Sequence, residues 1–317
     1  MSITITTWNV QNFRRTDPVF SDKLDFLVGT LQALGSDVVA LQEILDMNAL
    51  QDLANRLGFQ PFAAAPDDRG IRVAFLTRDA PMLLPPLQID QFRLAQGVEV
   101  QDFGANGTVK VIPRFPRPAL QISIGHNSGQ IDIITTHLKS KLLSFGGNLS
   151  TTNETLRAHT AYFALERRAA EATSLREQVT SLLSAGRKVV VLGDLNDGPE
   201  AATTEIFYGP PGGQPHGPED ATHASGAFQR ADAQDVQRLF NVTKFVPENI
   251  RWSRRHNGQN ELLDHILTSE GLMPRVNGLR QVPTMSILNE DTPNMIGPHP
   301  TAGGVVPDHA PVTATFL

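Results

Sequence analysis

A chain of 317 residues with 40% hydrophobic and 19% charged side chains is that of a folded globular protein, long enough for one large domain or two smaller ones. Its 27 basic and 33 acidic residues leave a net charge of -6, which argues against holding nucleic acid mainly by bulk positive charge but leaves room for a local phosphate site. With no cysteine, the chain excludes disulfides, thiolate zinc sites and a cysteine nucleophile.

In chain order, Ile3 to Asn9 is rich in β-branched residues and reads as a strand. Lys23 to Leu34 places Leu24, Leu27, Val28, Leu31 and Leu34 at helical spacing, with Gly35 to cap the end. Asp37 to Glu43 is a continuously apolar strand, the pattern of burial on both faces. A second helix carries Leu50, Leu53, Ala54 and Leu57 and closes at Gly58. Ile71 to Leu76, Leu120 to Ile124 and Ile131 to Thr136 read as strands, and the proline-broken stretch Pro81 to Pro118 as loops around short strands.

The longest helix is expected from about Asn153 to Ala185. Its apolar stripe is Ala161, Leu165, Ala169, Ala172, Leu175, Val179 and Leu182, and Thr151-Thr152-Asn153-Glu154 fits a capping box. Val189 to Gly193 follows as another buried strand. Gly209 to Pro218 reads as a surface loop and Pro283 to Pro307 as a long irregular segment. Leu262 to Leu267 and Ala310 to Phe316 are late strands. No apolar run approaches the roughly 20 residues of a membrane span. No basic stretch followed by an apolar one opens the chain, so the simplest expectation is a cytoplasmic monomer, with secretion behind a removed leader left open.

One pattern recurs: an apolar strand runs out and an acid, amide or imidazole follows. Asn9, Glu43, His137, Gly193-Asp194-Leu195-Asn196-Asp197 and Asp308-His309 all sit at such places. Taken singly, Glu43 reads as a solvated strand-end acid, His137 as a structural histidine and Asp194 to Asp197 as an Asx-rich turn. Asp264 and His265, inside the apolar run Leu262 to Leu267, require polar partners. If the strands are neighbours, these groups converge. Converging carboxylates repel unless a cation or hydrogen bonds compensate, and oxygen donors without sulfur suit Mg2+ or Mn2+.

The order of these motifs resembles the endonuclease/exonuclease/phosphatase superfamily, the deoxyribonuclease-I-like metallohydrolases. The matching pieces are Thr7-Trp8-Asn9-Val10-Gln11-Asn12, Leu41-Gln42-Glu43, Val73-Ala74-Phe75-Leu76, Arg117-Pro118, Thr136-His137-Leu138-Lys139, Gly193-Asp194-Leu195-Asn196, Leu263-Asp264-His265-Ile266-Leu267 and Asp308-His309. The resemblance implies an α/β four-layer sandwich, two packed mixed β-sheets flanked by helices, in one domain over residues 1–317. It implies Glu43 as principal metal ligand, with Asn9 and Asp308 beside metal and phosphate. Asp194 would orient or deprotonate water and Asn196 would hold Asp194 and a phosphate oxygen. His137 and His309 would flank the scissile phosphate, with Asp264 orienting His309. Arg117 would grip substrate phosphate, with Lys139 also at the substrate. The cofactor implied is Mg2+ or Mn2+, with Ca2+ as a further option.

Phosphate-ester hydrolysis suits these residue types, because it builds negative charge on oxygens and needs a water to lose a proton. The Asn-x-Tyr-x-Pro of the apurinic-site repair branch is absent, since Thr136-His137-Leu138-Lys139-Ser140-Lys141 stands there. The position after Asp264, often tyrosine in the family, is His265, which reads as a planar packing substitute. A metal-dependent phosphodiesterase, with nucleic acid as a partner, is the leading expectation. Lys139, Lys141, Arg157, Arg167 and Arg168 are candidates for a basic rim, although Arg167 and Arg168 read more simply as a solvated helix face. The alternatives are a phosphomonoesterase or a hydrolase of phospholipid or inositol-phosphate headgroups, and a catalytically silent binding protein on the same fold.

Overall fold

The computed structural model describes residues 2–78, 82–103, 108–127, 129–143, 151–209, 235–276, 279–292 and 304–317. The frame consists of β1 (Ile3–Phe13), α1 (Phe20–Leu34), β2 (Val38–Ile44), α2 (Met47–Leu57), β3 (Gln60–Ala63), β4 (Arg72–Thr77), β5 (Met82–Gln91), β6 (Arg114–His126), β7 (Gly129–His137), α3 (Glu154–Ser184), β8 (Lys188–Asp194), α4 (Ala202–Tyr208), β9 (Leu239–Asn241), β10 (Asp264–Ser269), β11 (Thr284–Ile287) and β12 (Val312–Phe316). Two mixed six-stranded sheets result, in the orders β11-β12-β1-β2-β4-β3 and β9-β10-β8-β7-β6-β5.

The alternation along each central strand explains the layers. On β2, Val38 and Ala40 face a core shared with Ile122, Ile133, Val190, Leu192 and Ile266 of the other sheet. Val39 and Leu41 face outward, against Leu27 and Leu31 of α1 and Leu50 and Leu53 of α2. Val189 and Val191 of β8 likewise face Ala172, Leu175 and Val179 of α3. Strands covered on both sides are apolar throughout, as their sequences are. The helices flank the sheet pair, so the four-layer α/β sandwich holds.

Some expectations are corrected. Within Pro81 to Pro118 the short strands Gln101–Phe103 and Val109–Val111 lie among loops as expected, but the ten-residue β5 and the start of the long β6 at Arg114 depart from that expectation. Pro85 and Pro86 fit because β5 is an edge strand whose register with β6 breaks between Leu84 and Leu87, so neither missing N–H costs a ladder bond. Thr284–Ile287 is the edge strand of the first sheet rather than part of an irregular run, while 293–303 of that run lie outside the described residues, as do 210–218 of the expected Gly209 to Pro218 loop. Asn153 caps α3 by accepting from Leu156 N–H at 3.0 Å, so Glu154 is the first helical residue and no capping box forms. The stripe of α3 is right at Ala172, Leu175 and Val179 but wrong at its start. Leu165 is 47% exposed, and Phe163, Ala164, Arg167, Arg168 and Glu171 form the inner face. Hydrophobicity alone misplaces that face because buried ion pairs occupy it: Arg167 binds Glu171 at 2.9 Å and Asp102 at 3.0 Å, and Arg168 binds Asp197 at 3.2 Å.

Candidate active site

The parallel pairing of β8 with β7 sets Asp194 opposite His137, and the antiparallel pairing with β10 sets Asp194 opposite Asp264. Three polar groups thus end three adjacent strands side by side. The β7–β8 pair is unusually close at Gly193, which has φ 140°. A Cβ there would lie 1.9 Å from the Thr136 carbonyl oxygen, so only glycine fits. After the strand, Leu195 N–H donates to Leu263 O at 2.9 Å and Asn196 N–H to Asp194 Oδ1 at 2.9 Å. Asn196 itself takes φ 53° and donates from Nδ2 to Leu138 O at 3.1 Å. His265 locks this turn from behind. Its Nδ1 accepts from Asn241 Nδ2 at 3.0 Å, so its Nε2–H donates to Asp197 O at 2.9 Å. It bridges polar groups, and burial lowers its pKa; this is more than planar packing.

The other sheet supplies the facing wall. The β1–β2 register shifts between Asn9 and Phe13, and in that irregularity Gln11, Asn12 and Glu43 have φ of 49°, 52° and 63°. Such left-handed conformations cost about 1–2 kcal/mol each in non-glycine residues, and they concentrate at sites that need a fixed geometry. Asn9 Nδ2 donates to Glu43 Oε1 at 3.2 Å and to Asp194 Oδ2 at 3.0 Å, joining the two sheets through one amide. Glu43 Oε2 accepts from Asn12 N–H at 3.0 Å. Gln42 makes a second bridge deeper in, donating from Nε2 to Thr7 Oγ1 and Thr135 Oγ1, each at 3.1 Å.

His309 closes the site from just before β12. Its backbone is fixed by Trp8 Nε1–H, which donates to His309 O at 2.8 Å, and by a β-bridge to Arg254. Its Nδ1 lies 2.6 Å from Asp264 Oδ2, and its Nε2 is 3.9 Å from Asp194 Oδ2. Ser253 Oγ fixes the start of β10 by accepting from the Leu263 and Asp264 N–H groups. Burial alone would push the His309 pKa down, but the Asp264 and Asp194 carboxylates outweigh it and raise the pKa to about 10. Burial raises Asp194 to about 7, against the pull of His309 and the Asn9 amide. His137, with Nε2 3.4 Å from Asp194 Oδ2, is held well below its ordinary pKa by burial and by Arg117. The two histidines therefore differ: His309 is an imidazolium at neutral pH and His137 is neutral.

The remaining expected residues sit as follows. Arg117 is 7% exposed; its Nη2 pairs with Asp67 Oδ2 at 3.0 Å and its Nη1 donates to His137 O at 3.1 Å. Its guanidinium thus anchors the His137 backbone. Lys139 Nζ donates to the Ser140 and Leu142 carbonyls at 2.9 and 3.1 Å, and burial lowers its pKa to about 8. Asp308 has its side chain 38% exposed and lies 3.6 Å from Arg254 Nε. Arg167 and Arg168 belong neither to a rim nor to a solvated face; both are buried in ion pairs.

Two donor sets could receive a cation. Ligand atoms of Asp194, Asp264 and His309 lie within 4.8 Å of one another, but the short His309–Asp264 bond occupies two of those three groups. Glu43 is half-buried and, among the described residues, accepts only from uncharged N–H donors. That leaves its negative charge uncompensated by direct contact, and its oxygens suit a hard cation.

Sequence reasoning missed Asp67, Lys23, Gln42 and Ser253. Asp67 had a signal, since Asp67-Asp68-Arg69-Gly70 is turn chemistry beside a strand; Lys23 had one too, as a charge at the spacing of Leu27 and Leu31.

Comparison places the geometry among known proteins. The human Nocturnin catalytic domain with bound sulfate anion aligns with a TM-score of 0.60 at 16% identity, over 100% of this chain and 94% of that one. D. rerio TDP2 complexed with single strand DNA product aligns at 0.56 and 17%, over 100% and 99%. A functionally unknown conserved protein from Enterococcus faecalis V583 aligns at 0.59 and 14%, over 99% of both chains. At these identities the likeness concerns the fold. No curated protein matches the sequence. The sequence model of the Endonuclease/Exonuclease/phosphatase family matches residues 6–286, and the chain belongs to that family.

Proposed function

We propose that the protein is a divalent-cation-dependent phosphodiesterase that acts by in-line attack of water, with nucleic acid as its substrate class. One observation carries the reading: two imidazoles and two carboxylates from one sheet and the loop before β12 meet an amide and an acid from the other sheet, with Asn9 bonded to both Glu43 and Asp194, His309 bonded to Asp264, and Asp194 Oδ2 lying 3.4 Å from His137 Nε2 and 3.9 Å from His309 Nε2. His309 donates a hydrogen bond, with positive charge, to a phosphate oxygen as that oxygen gains charge. Asp264 accepts from Nδ1–H and holds the ring in the orientation that leaves Nε2–H free for this. Asp194, with a pKa about 7, accepts the proton of the attacking water. Asn196 fixes the Asp194 turn, Asn9 keeps Asp194 turned toward the site, and neutral His137 donates to the phosphate. Arg117 acts through the His137 backbone, and Lys139 borders the substrate. A cation held by Glu43, with Asn9 and Asp308 beside it, would supply positive charge to the phosphate oxygens; Mg2+ or Mn2+ fits the oxygen donors, with Ca2+ as an alternative. One domain over 1–317 is part of the same reading, supported by a site drawn from both ends of the chain; a monomer in the cytoplasm is proposed with it from the sequence alone.

Support from likeness comes from D. rerio TDP2, whose structure holds a single strand DNA product on the same fold. The test sets plasmid nicking and cleavage of a single-stranded oligonucleotide against phosphate release from small monoesters, each with Mg2+, Mn2+ or chelator. Cation-dependent cleavage of the polymers is expected, and His309→Ala should lower it by a factor on the order of 10² with the fold intact. Full activity in a folded His309→Ala protein overturns the assignment, and phosphate release alone moves the substrate to monoesters.

A further inference from the structure

Lys23 lies on the inner face of α1 and is 2% exposed. Its neighbours along that face, Leu27 and Leu31, are core residues. An apolar side chain would fill the same space without the cost of taking an ammonium out of water, so the charge needs a reason. Its Nζ donates to the carbonyl oxygen of Gln11 at 2.6 Å. Gln11 and Asn12 are the two consecutive left-handed residues of the β1 irregularity, neither of them glycine. Their N–H groups point at the candidate site: Gln11 N–H donates to Asn9 Oδ1 at 3.0 Å and Asn12 N–H to Glu43 Oε2 at 3.0 Å. The turn therefore orients both Asn9 and Glu43, and only external contacts can keep it in this conformation.

We infer that Lys23 is a positioning residue whose buried ammonium braces the strained Gln11–Asn12 turn and so aims the Asn9 amide and the Glu43 carboxylate into the site. The inference rests on the proposed role of Glu43 as cation ligand. Asp17, Glu43 and Asp308 also act electrostatically on this ammonium, in that order. Two effects of removing it have opposite signs. Loss of a positive charge near Glu43 would by itself tighten cation binding. Loss of the brace would loosen the ligand geometry and weaken binding, as removal of outer-shell partners does by about 10–100-fold.

The experiment is calorimetric titration of Mn2+ into the wild-type chain, Lys23→Met, Lys23→Arg and Glu43→Gln. Lys23→Met keeps the length and removes the donor; it is expected to bind Mn2+ about 10-fold more weakly, with native circular dichroism, while Lys23→Arg stays within about three-fold of wild type. Equal or tighter binding in Lys23→Met overturns the brace. Amide hydrogen exchange compared between wild type, Lys23→Arg and Lys23→Met reads the turn directly, with Lys23→Gln in place of Lys23→Met if that variant does not fold. Faster exchange of the Gln11 and Asn12 N–H groups in Lys23→Met than in wild type and Lys23→Arg supports the brace, and equal protection in all of them overturns it. Failure of the cation reading looks different: wild type and Glu43→Gln bind Mn2+ alike, and the brace then stands or falls on amide exchange alone.

Discussion

At the scale of single residues, the candidate site gives like groups unlike environments. His309 and His137 are both buried beside Asp194, yet His309 also bonds Asp264 while His137 lies under the positive charge of Arg117. Asp264→Asn removes the nearer carboxylate from His309, so its pKa should fall from about 10 toward the ordinary 6.5. An NMR titration of the His309 ring protons reads this directly, and a His309 pKa unchanged in Asp264→Asn would remove the basis for the imidazolium. The stability linkage has a definite sign. Because the folded pKa lies above the unfolded one, the His309 contribution is fully present below about 6.5 and is lost as pH rises toward 10. Unfolding free energy should therefore decline across that window in wild type and more weakly in His309→Ala. Asp194 and His309 were legible in the sequence because an acid or imidazole beside an apolar strand is conspicuous. Lys23 was legible only by halves: its spacing with Leu27 and Leu31 places it on the apolar face of the helix, but nothing local reveals that it meets a carbonyl from the preceding strand.

At the scale of elements, strand pairing fixes the site and close approaches fix the pairing. Gly193→Ala would force β8 away from the Thr136 carbonyl. Overpacking together with a strained φ should cost about 3 kcal/mol, read as a fall in urea midpoint, with activity reduced even where the protein is folded. The turn at Asp67 is the second case. Its carboxylate resists burial, and Arg117 with the Ile71 and Arg69 amides still lowers its pKa. Asp67→Asn leaves Arg117 buried without its partner, so a loss of about 3–5 kcal/mol is expected by denaturant titration. The double variant Asp67→Asn with Arg117→Met should recover much of it, since both charges are then gone while the new side-chain carbonyl oxygen still accepts from the Arg69 and Ile71 amides; no recovery would mean that the pair does more than anchor the 137 region. The central strands and both early helices were readable because two-sided burial and helical spacing leave plain hydrophobic patterns. The inner face at the start of α3 was not, because Arg167, Arg168 and Glu171 are buried as mutual partners, and the identity of a partner such as Asp197 is a tertiary fact.

At the scale of the whole molecule, most of the basic groups named above around the site are, among the described residues, already paired. Arg117 is paired with Asp67, Arg167 with Glu171 and Asp102, and Arg168 and Lys141 with Asp197. The net charge of -6 adds no attraction for a polyanion. A nucleic acid substrate would then be held at a few phosphates near the scissile bond rather than along an extended basic groove. Counterion release turns this into a number. Proteins that neutralise 6–10 phosphates lose about 10³–10⁵ in affinity between 50 and 200 mM salt, whereas two or three contacts to a single strand, at about 0.7 per contact in the log–log slope, lose only about ten-fold. The KM for a short single-stranded oligonucleotide, measured at fixed cation concentration while potassium chloride is raised from about 50 to 200 mM, should rise by no more than about ten-fold. A rise of a thousand-fold would reveal an extended cationic track that the ion pairs among the described residues do not supply, and the substrate would then be a polymer gripped over many nucleotides rather than a single scissile linkage and its neighbours.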